Sequence, residues 1–233
     1  MVCYSGCSDD YILTHYERER QRNILQIQNS KGTYSKYKTV RNRSGITGAE
    51  AARRILLENG ITDVRIEVCG GELTDHYNPR TNVVSLSADV FNSTSVAAVG
   101  IAAHEVGHVC QHYSGYAPIK IRNAVLPVAN IGSSLSIPLI ILGIFLSFKP
   151  LVMAGVIAFA AVVLFQLVTL PVEFNASSRA MKSLVSCGIL SSDETSGTRK
   201  VLSAAAMTYV AALAVSLAQL LRLILIARSN NRD

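Results

Sequence analysis

The sequence predicts a mainly α-helical membrane protein with a small β-hairpin and three transmembrane helices. Three observations lead there. Hydrophobic residues make up 49% of the 233 positions and charged residues only 16%, against about 25% charged in ordinary globular domains. The apolar residues concentrate after Val96, while most of the charge lies before it. Three late segments are long enough to cross a bilayer, which takes about 20 apolar residues.

The elements follow in chain order. Residues 1–43 are polar and rich in charge, as in Glu17-Arg18-Glu19-Arg20, and are expected to form a frayed helix or a disordered arm. Met1 to Asn23 contains no apolar h-region, so no signal peptide is expected and insertion would rely on internal spans. Residues 44–233 are expected to form one membrane-integrated domain. Thr47-Gly48-Ala49-Glu50 has the spacing of a capping box and Asn59-Gly60 is a helix stop, which predicts a short amphipathic helix between them. Val64 to Val68 alternates with period two and reads as a strand, and Asn82 to Leu86 reads as a second after the turn Asn78-Pro79-Arg80. Val83, Val84 and Leu86 are expected to form either an edge strand, the kind that can hold an extended peptide by main-chain hydrogen bonds, or a plain structural hairpin.

Thr94 or Ser95 caps the next helix, expected to run to about Tyr113 and to end at Gly115 and Pro118. The three spans are then roughly Ala124 to Phe148, with kinks at Pro127 and Pro138, Leu151 to Leu170, and Ala204 to Ala227. A new helix is expected to start near Pro171. Lys120, Arg122, Arg179, Lys182, Arg199 and Lys200 flank one side of these spans, against Lys149, Arg228 and Arg232 on the other. The positive-inside rule then favours a cytoplasmic N-terminal part.

The net charge of +6 is accounted for by those flanking cations and anionic headgroups. No basic patch with interleaved aromatics is present, which argues against a nucleic-acid partner. Five cysteines at irregular spacing do not form a disulfide framework.

The chemistry sits at His104-Glu105-Val106-Gly107-His108. Residues four apart share one helix face, so His104 and His108 can offer nitrogens to one zinc ion. Glu105 lies beside that face, placed to act as base on a metal-bound water. A catalytic zinc usually takes three protein ligands. His112 lies two turns beyond His104, about 12 Å along the axis, too far to share the ion. Only Glu173, Asp193, Glu194 and Asp233 follow the motif as acids. Asp233 falls across the membrane and Asp193 and Glu194 in a polar loop, so Glu173 is the expected third ligand, with helix capping as its alternative role. His76, Tyr77, His112 and Arg179 are candidates for polarising a scissile carbonyl.

Leu73 to Arg80, Ala102 to His108 and Leu170-Pro171-Val172-Glu173-Phe174, in that order, resemble the bacterial YugP-like membrane zinc metallopeptidases. The resemblance covers most of Gly45 to Ala227. It implies a zincin-like, gluzincin-type helical core, with His104, His108 and Glu173 holding one catalytic Zn2+ and Glu105 as base. It also implies a peptide or protein substrate and a place in the bacterial cell (inner) membrane. Where that family resembles Glu-Phe-Asp-Ala-Ser, this chain has Asn175, which keeps hydrogen bonding but loses a charge that would orient a ligand. The functional expectation is a membrane endopeptidase. Its alternative is a non-enzymatic, zinc-binding membrane adaptor or chaperone-like protein. An intramembrane protease of the site-2 type would need an Asp-Gly ligand motif in a later span, and none is present.

Overall fold

The computed structural model describes residues 30–229. The expected polar arm falls partly outside this range, at residues 1–29. Within the range, residues 30–37 form helix α1, Tyr34 is buried against Ala97 and Val201, and Arg41 bridges to Ser95. The described residues fall into two units, one of residues 30–119 and 171–207, the other of residues 120–170 and 208–229.

In the first unit, helix α2 (Gly48–Glu58) begins at the expected capping box. The Thr47 hydroxyl accepts from the Glu50 N–H and the Glu50 carboxylate accepts from the Thr47 N–H. Its small face, Ala51, Ala52, Ile55 and Leu56, enters the core, and Gly60 leaves the helix at φ +69°.

Three strands follow: β1 (Arg65–Cys69), β2 (His76–Asn78) and β3 (Val83–Ser87). The sheet order is β1-β3-β2, with β1 parallel and β2 antiparallel to β3. This corrects the expected edge. Val83, Val84 and Leu86 lie on the central strand, not an edge, and β2, whose last residue Asn78 opens the expected turn, is an edge strand. The physical reason is burial: the Val-Val-Ser-Leu-Ser run is almost wholly covered, as suits a strand paired on both sides. Beyond the end of β2, the Ser87 N–H is taken by the Asp75 carboxylate at 2.8 Å, which closes the rest of that side of β3.

A single-turn helix α3 (Ala88–Phe91) leads to α4 (Val96–Tyr113). The Ser95 hydroxyl caps α4 by accepting from the Ala98 N–H at 3.1 Å. Almost all of α4 is buried: Val96, Ala98, Val99, Ala102, Ala103, Val106 and Val109 join one core with α2, β3 and Leu184, Ile189 and Leu190.

Three long helices complete the chain: α5 (Ala117–Phe145), α6 (Lys149–Ser186) and α7 (Thr195–Ser229). Each is long and apolar enough to cross a membrane. Pro127 and Pro138 lie inside α5 as expected. Pro171 is not a boundary, however, and the apolar run and the segment bearing Glu173 are one helix of 38 residues. A proline within a helix removes an N–H donor, and α6 continues through this one. In the second unit the helices approach closely at glycines. A Cβ on Gly132 would lie 2.4 Å from the Ala158 carbonyl oxygen, and one on Gly155 2.7 Å from that of Ser136. Small residues of this kind are what let membrane helices pack backbone to backbone.

Candidate metal centre

The centre is built by α4 and the C-terminal part of α6, both in the first unit. His104 and His108 stand one helical turn apart, their rings 4.8 Å between centroids and nearly perpendicular at 86°. Gly107 lies between them. A side chain there would put its Cβ 2.6 Å from the Ala176 carbonyl oxygen, so glycine is what lets α6 come this close to the histidines.

That approach brings Glu173 into the site. Its Oε2 lies 3.3 Å from His104 Nε2 and 3.7 Å from His108 Nε2. One donor atom from each of the three side chains lies within 4.8 Å of the others, and Glu173 is only 5% exposed. These separations fit a zinc ion. Ligands about 2.0–2.1 Å from a tetrahedral centre lie roughly 3.3 Å from one another. Two neutral imidazoles and one carboxylate are also a donor set zinc prefers. Burial by itself lowers the His108 pKa, but its hydrogen bond to Glu173 and the charges of Glu105 and Glu173 outweigh this and hold it raised. Glu105 follows His104 directly and is buried at 9% exposure.

The outer nitrogens of both imidazoles are also held. His104 Nδ1 lies 3.1 Å from the Ser177 hydroxyl, and His108 Nδ1 3.0 Å from Gln111 Oε1. Gln111 in turn donates to the Val172 carbonyl at 2.7 Å and to Asn175 Oδ1 at 3.0 Å, and Arg179 Nε donates to the same Asn175 oxygen at 2.9 Å. Of the expected residues, the structure thus gathers His104, His108 and Glu173, and links Asn175 and Arg179 to them.

The other three candidates face different partners. His76, exposed on β2, has its Nδ1 2.8 Å from the Thr74 carbonyl oxygen. Tyr77 donates to Asn82 Oδ1 at 2.9 Å, and burial, aided by Tyr113 and Asp63, pushes its pKa up to about 12. His112 packs edgewise against Tyr77 and Tyr113. Among the described residues, none of the three makes a hydrogen bond to His104, His108 or Glu173. The excluded acids have their own roles: Asp193 pairs with Arg43 at 2.7 Å, and Glu194 accepts from the Arg43 N–H at 2.7 Å.

Motif spacing gave no role to Gln111 or Ser177. The signal was present, since Gln111 stands three residues after His108 and Ser177 four after Glu173, both on the ligand face of their helices.

A His-Glu-His helix facing a glutamate from a second helix could hold a metal ion, in a chain with three helices long and apolar enough to cross a membrane. A family model described as "Putative neutral zinc metallopeptidase" matches residues 23–228, and the chain belongs to that family. It is similar to the "Putative membrane protease YugP" of Bacillus subtilis (strain 168), with 49% identity over 203 residues that cover 87% of this chain and 90% of that protein. No solved structure matches.

Proposed function

We propose that this protein is an endopeptidase for membrane or membrane-proximal proteins, with His104, His108 and Glu173 holding one zinc ion and Glu105 as general base. The observation that carries this reading is the convergence of His104 Nε2 and His108 Nε2 on Glu173 Oε2, at 3.3 and 3.7 Å.

When bound, zinc supplies a Lewis acid that polarises the scissile carbonyl and makes water acidic enough to ionise near neutral pH. Glu105 takes the proton as the water oxygen bonds to the carbonyl carbon. It then delivers that proton to the amine as the C–N bond breaks. Burial of Glu105 and Glu173 keeps bulk water from competing at the site. His76 and His112, both exposed, are the candidates for polarising the carbonyl, because the Tyr77 hydroxyl and the Arg179 guanidinium are committed to Asn82 and to Asn175 and Ser114.

Membrane-proximal substrates are favoured because Glu173 stands three residues after the apolar run Leu151 to Leu170 on the same helix. The cations Lys120, Arg122, Arg179, Lys182, Arg199 and Lys200 favour a cytoplasmic catalytic side in the inner membrane.

The test is Glu105→Gln in the full chain in detergent, with casein or an unfolded membrane protein as substrate. Zinc should stay bound and cleavage should be lost. Undiminished cleavage would overturn the assignment of the base. Tight zinc in the unaltered chain with no turnover of any substrate would favour a zinc-holding adaptor instead.

A further inference from the structure

Gln111 has a single hydrogen-bonding arrangement open to it, and that arrangement dictates the state of a ligand. The side chain is fully buried, at 0% exposure. One end of its carboxamide lies 2.7 Å from the Val172 carbonyl oxygen, which can only accept. The amide nitrogen must therefore be at that end. Turned over, the amide would bring two acceptor oxygens face to face with no proton between them. Asn175 Oδ1, 3.0 Å away, demands the same nitrogen, because that oxygen is itself fixed by the Nε–H of Arg179, which can only donate.

With the nitrogen so placed, Gln111 Oε1 is left facing His108 Nδ1 at 3.0 Å. An amide oxygen accepts and cannot donate, so His108 must carry its proton on Nδ1. Nε2, the nitrogen that faces Glu173, is then the one whose lone pair is left for a metal ion. Val172 is also the residue before Glu173. One buried carboxamide thus holds a ligand ring on α4 and the backbone beside the ligand carboxylate on α6.

We propose that Gln111 is a positioning residue of the metal centre. It selects the Nδ1-protonated tautomer of His108 and ties that ligand to Glu173, with Asn175 and Arg179 as the anchor that fixes its own orientation. This rests on the reading of His104, His108 and Glu173 as the ligand set. Ser177 is the corresponding partner of His104, but a hydroxyl both donates and accepts, so it cannot enforce a tautomer as Gln111 does.

The experiment uses the full chain in detergent, zinc chloride, and competition with a chromophoric chelator. Gln111→Met keeps the length and apolar stem of the side chain and removes all three hydrogen bonds. Zinc affinity should fall about 10–100-fold, as for other partners of metal-bound histidines. The thermal midpoint of the zinc-free protein should fall as well, because buried hydrogen-bond partners are left unpaired, so the His108 tautomer is the readout that a merely structural role would not move. Nitrogen-15 spectra of labelled histidines should show His108 as the pure Nδ1–H tautomer in the unaltered zinc-loaded protein. They should show mixed His108 tautomers, with His104 unchanged, in zinc-free Gln111→Met. His108→Ala and Glu173→Ala are the controls. If they keep zinc at full strength, the ligand assignment itself falls and this proposal with it. If they lose zinc while Gln111→Met binds it as tightly as the unaltered chain, the ligands stand and the role of Gln111 is refuted. Should Gln111→Met not fold, the unaltered protein still decides, because a neutral His108 protonated on Nε2 and bare on Nδ1 refutes the proposal.

Discussion

Helix α4 and helix α5 are both apolar over most of their length, yet they live in opposite surroundings. In α4, Val96, Ala97, Ala98, Val99, Ala102, Ala103, Val106 and Val109 are all under 3% exposed. In α5, Val128, Ile131, Leu135, Ile137 and Ile141 are between 42% and 63% exposed, and only 28% of its most apolar stretch is buried within the protein. The protein supplies the apolar surroundings of α4, whereas α5, α6 and α7 are long and apolar enough to find theirs in a lipid bilayer. Side-chain identity alone therefore says little about what a hydrophobic residue contributes. In α4 it contributes shape, because His104 and His108 face the Glu173 carboxylate where α6 packs closely at Gly107. In α5 it contributes solubility in hydrocarbon.

Substitutions in the two settings separate these contributions. Leu184, fully buried in the core that surrounds α4, should lose about 2–5 kcal/mol on Leu184→Ala, because the cavity has nothing to refill it. Leu217→Ala on α7, where the leucine is 50% exposed, should stay within about 0.5 kcal/mol. Denaturant titration of both variants in detergent checks the difference, and equal losses would break the contrast.

Adding a charge should reverse the ranking. Leu57 on α2 and Leu135 on α5 are both well exposed, at 60% and 48%. Leu135→Lys should oppose membrane integration by about 2.5–3.5 kcal/mol, the apparent cost of a lysine at the centre of a span. Leu57→Lys should be near neutral. A membrane-integration assay compares them directly, and an α5 that tolerates lysine as α2 does would remove the bilayer from the account.

The smallest effect belongs to local structure. Thr47→Ala removes the cap of α2 and should cost about 1 kcal/mol, without altering zinc affinity. The Glu50 half of the same box carries a pH signature. Its hydrogen bonds from the Thr47 backbone and hydroxyl lower its pKa, so its contribution is present above the ordinary glutamate pKa and is lost as pH falls through the lowered one. Thermal scans at neutral and acidic pH in both proteins read this, and the acid-side loss should shrink in Thr47→Ala.

Much of this was legible in the chain. The capping box at Thr47 and Glu50, the Ser95 cap of α4 and the three apolar spans are local signals, set by residues within a few positions of one another. The shortlist leading to Glu173 was also readable, because few acids follow the motif. Sheet order was not readable: the pairing of β1 with β3 is parallel and joins residues eighteen apart, and alternation cannot say which strand lies in the middle. Pro171 misled because local propensity reads a proline as a helix boundary, whereas α6 runs through it.

The sequence by itself determined which groups can do chemistry here: two histidines one turn apart, a glutamate between them, and a small set of acids that could join them. Helical periodicity and residue chemistry are enough for that. Only the tertiary structure decided that Glu173 lies 3.3 Å from His104, that Gly107 opens the space for it, and that Gln111 holds His108 from behind. These depend on two helices more than 60 residues apart in sequence meeting at one point. Such a meeting is set by packing across the whole core, which no local pattern encodes.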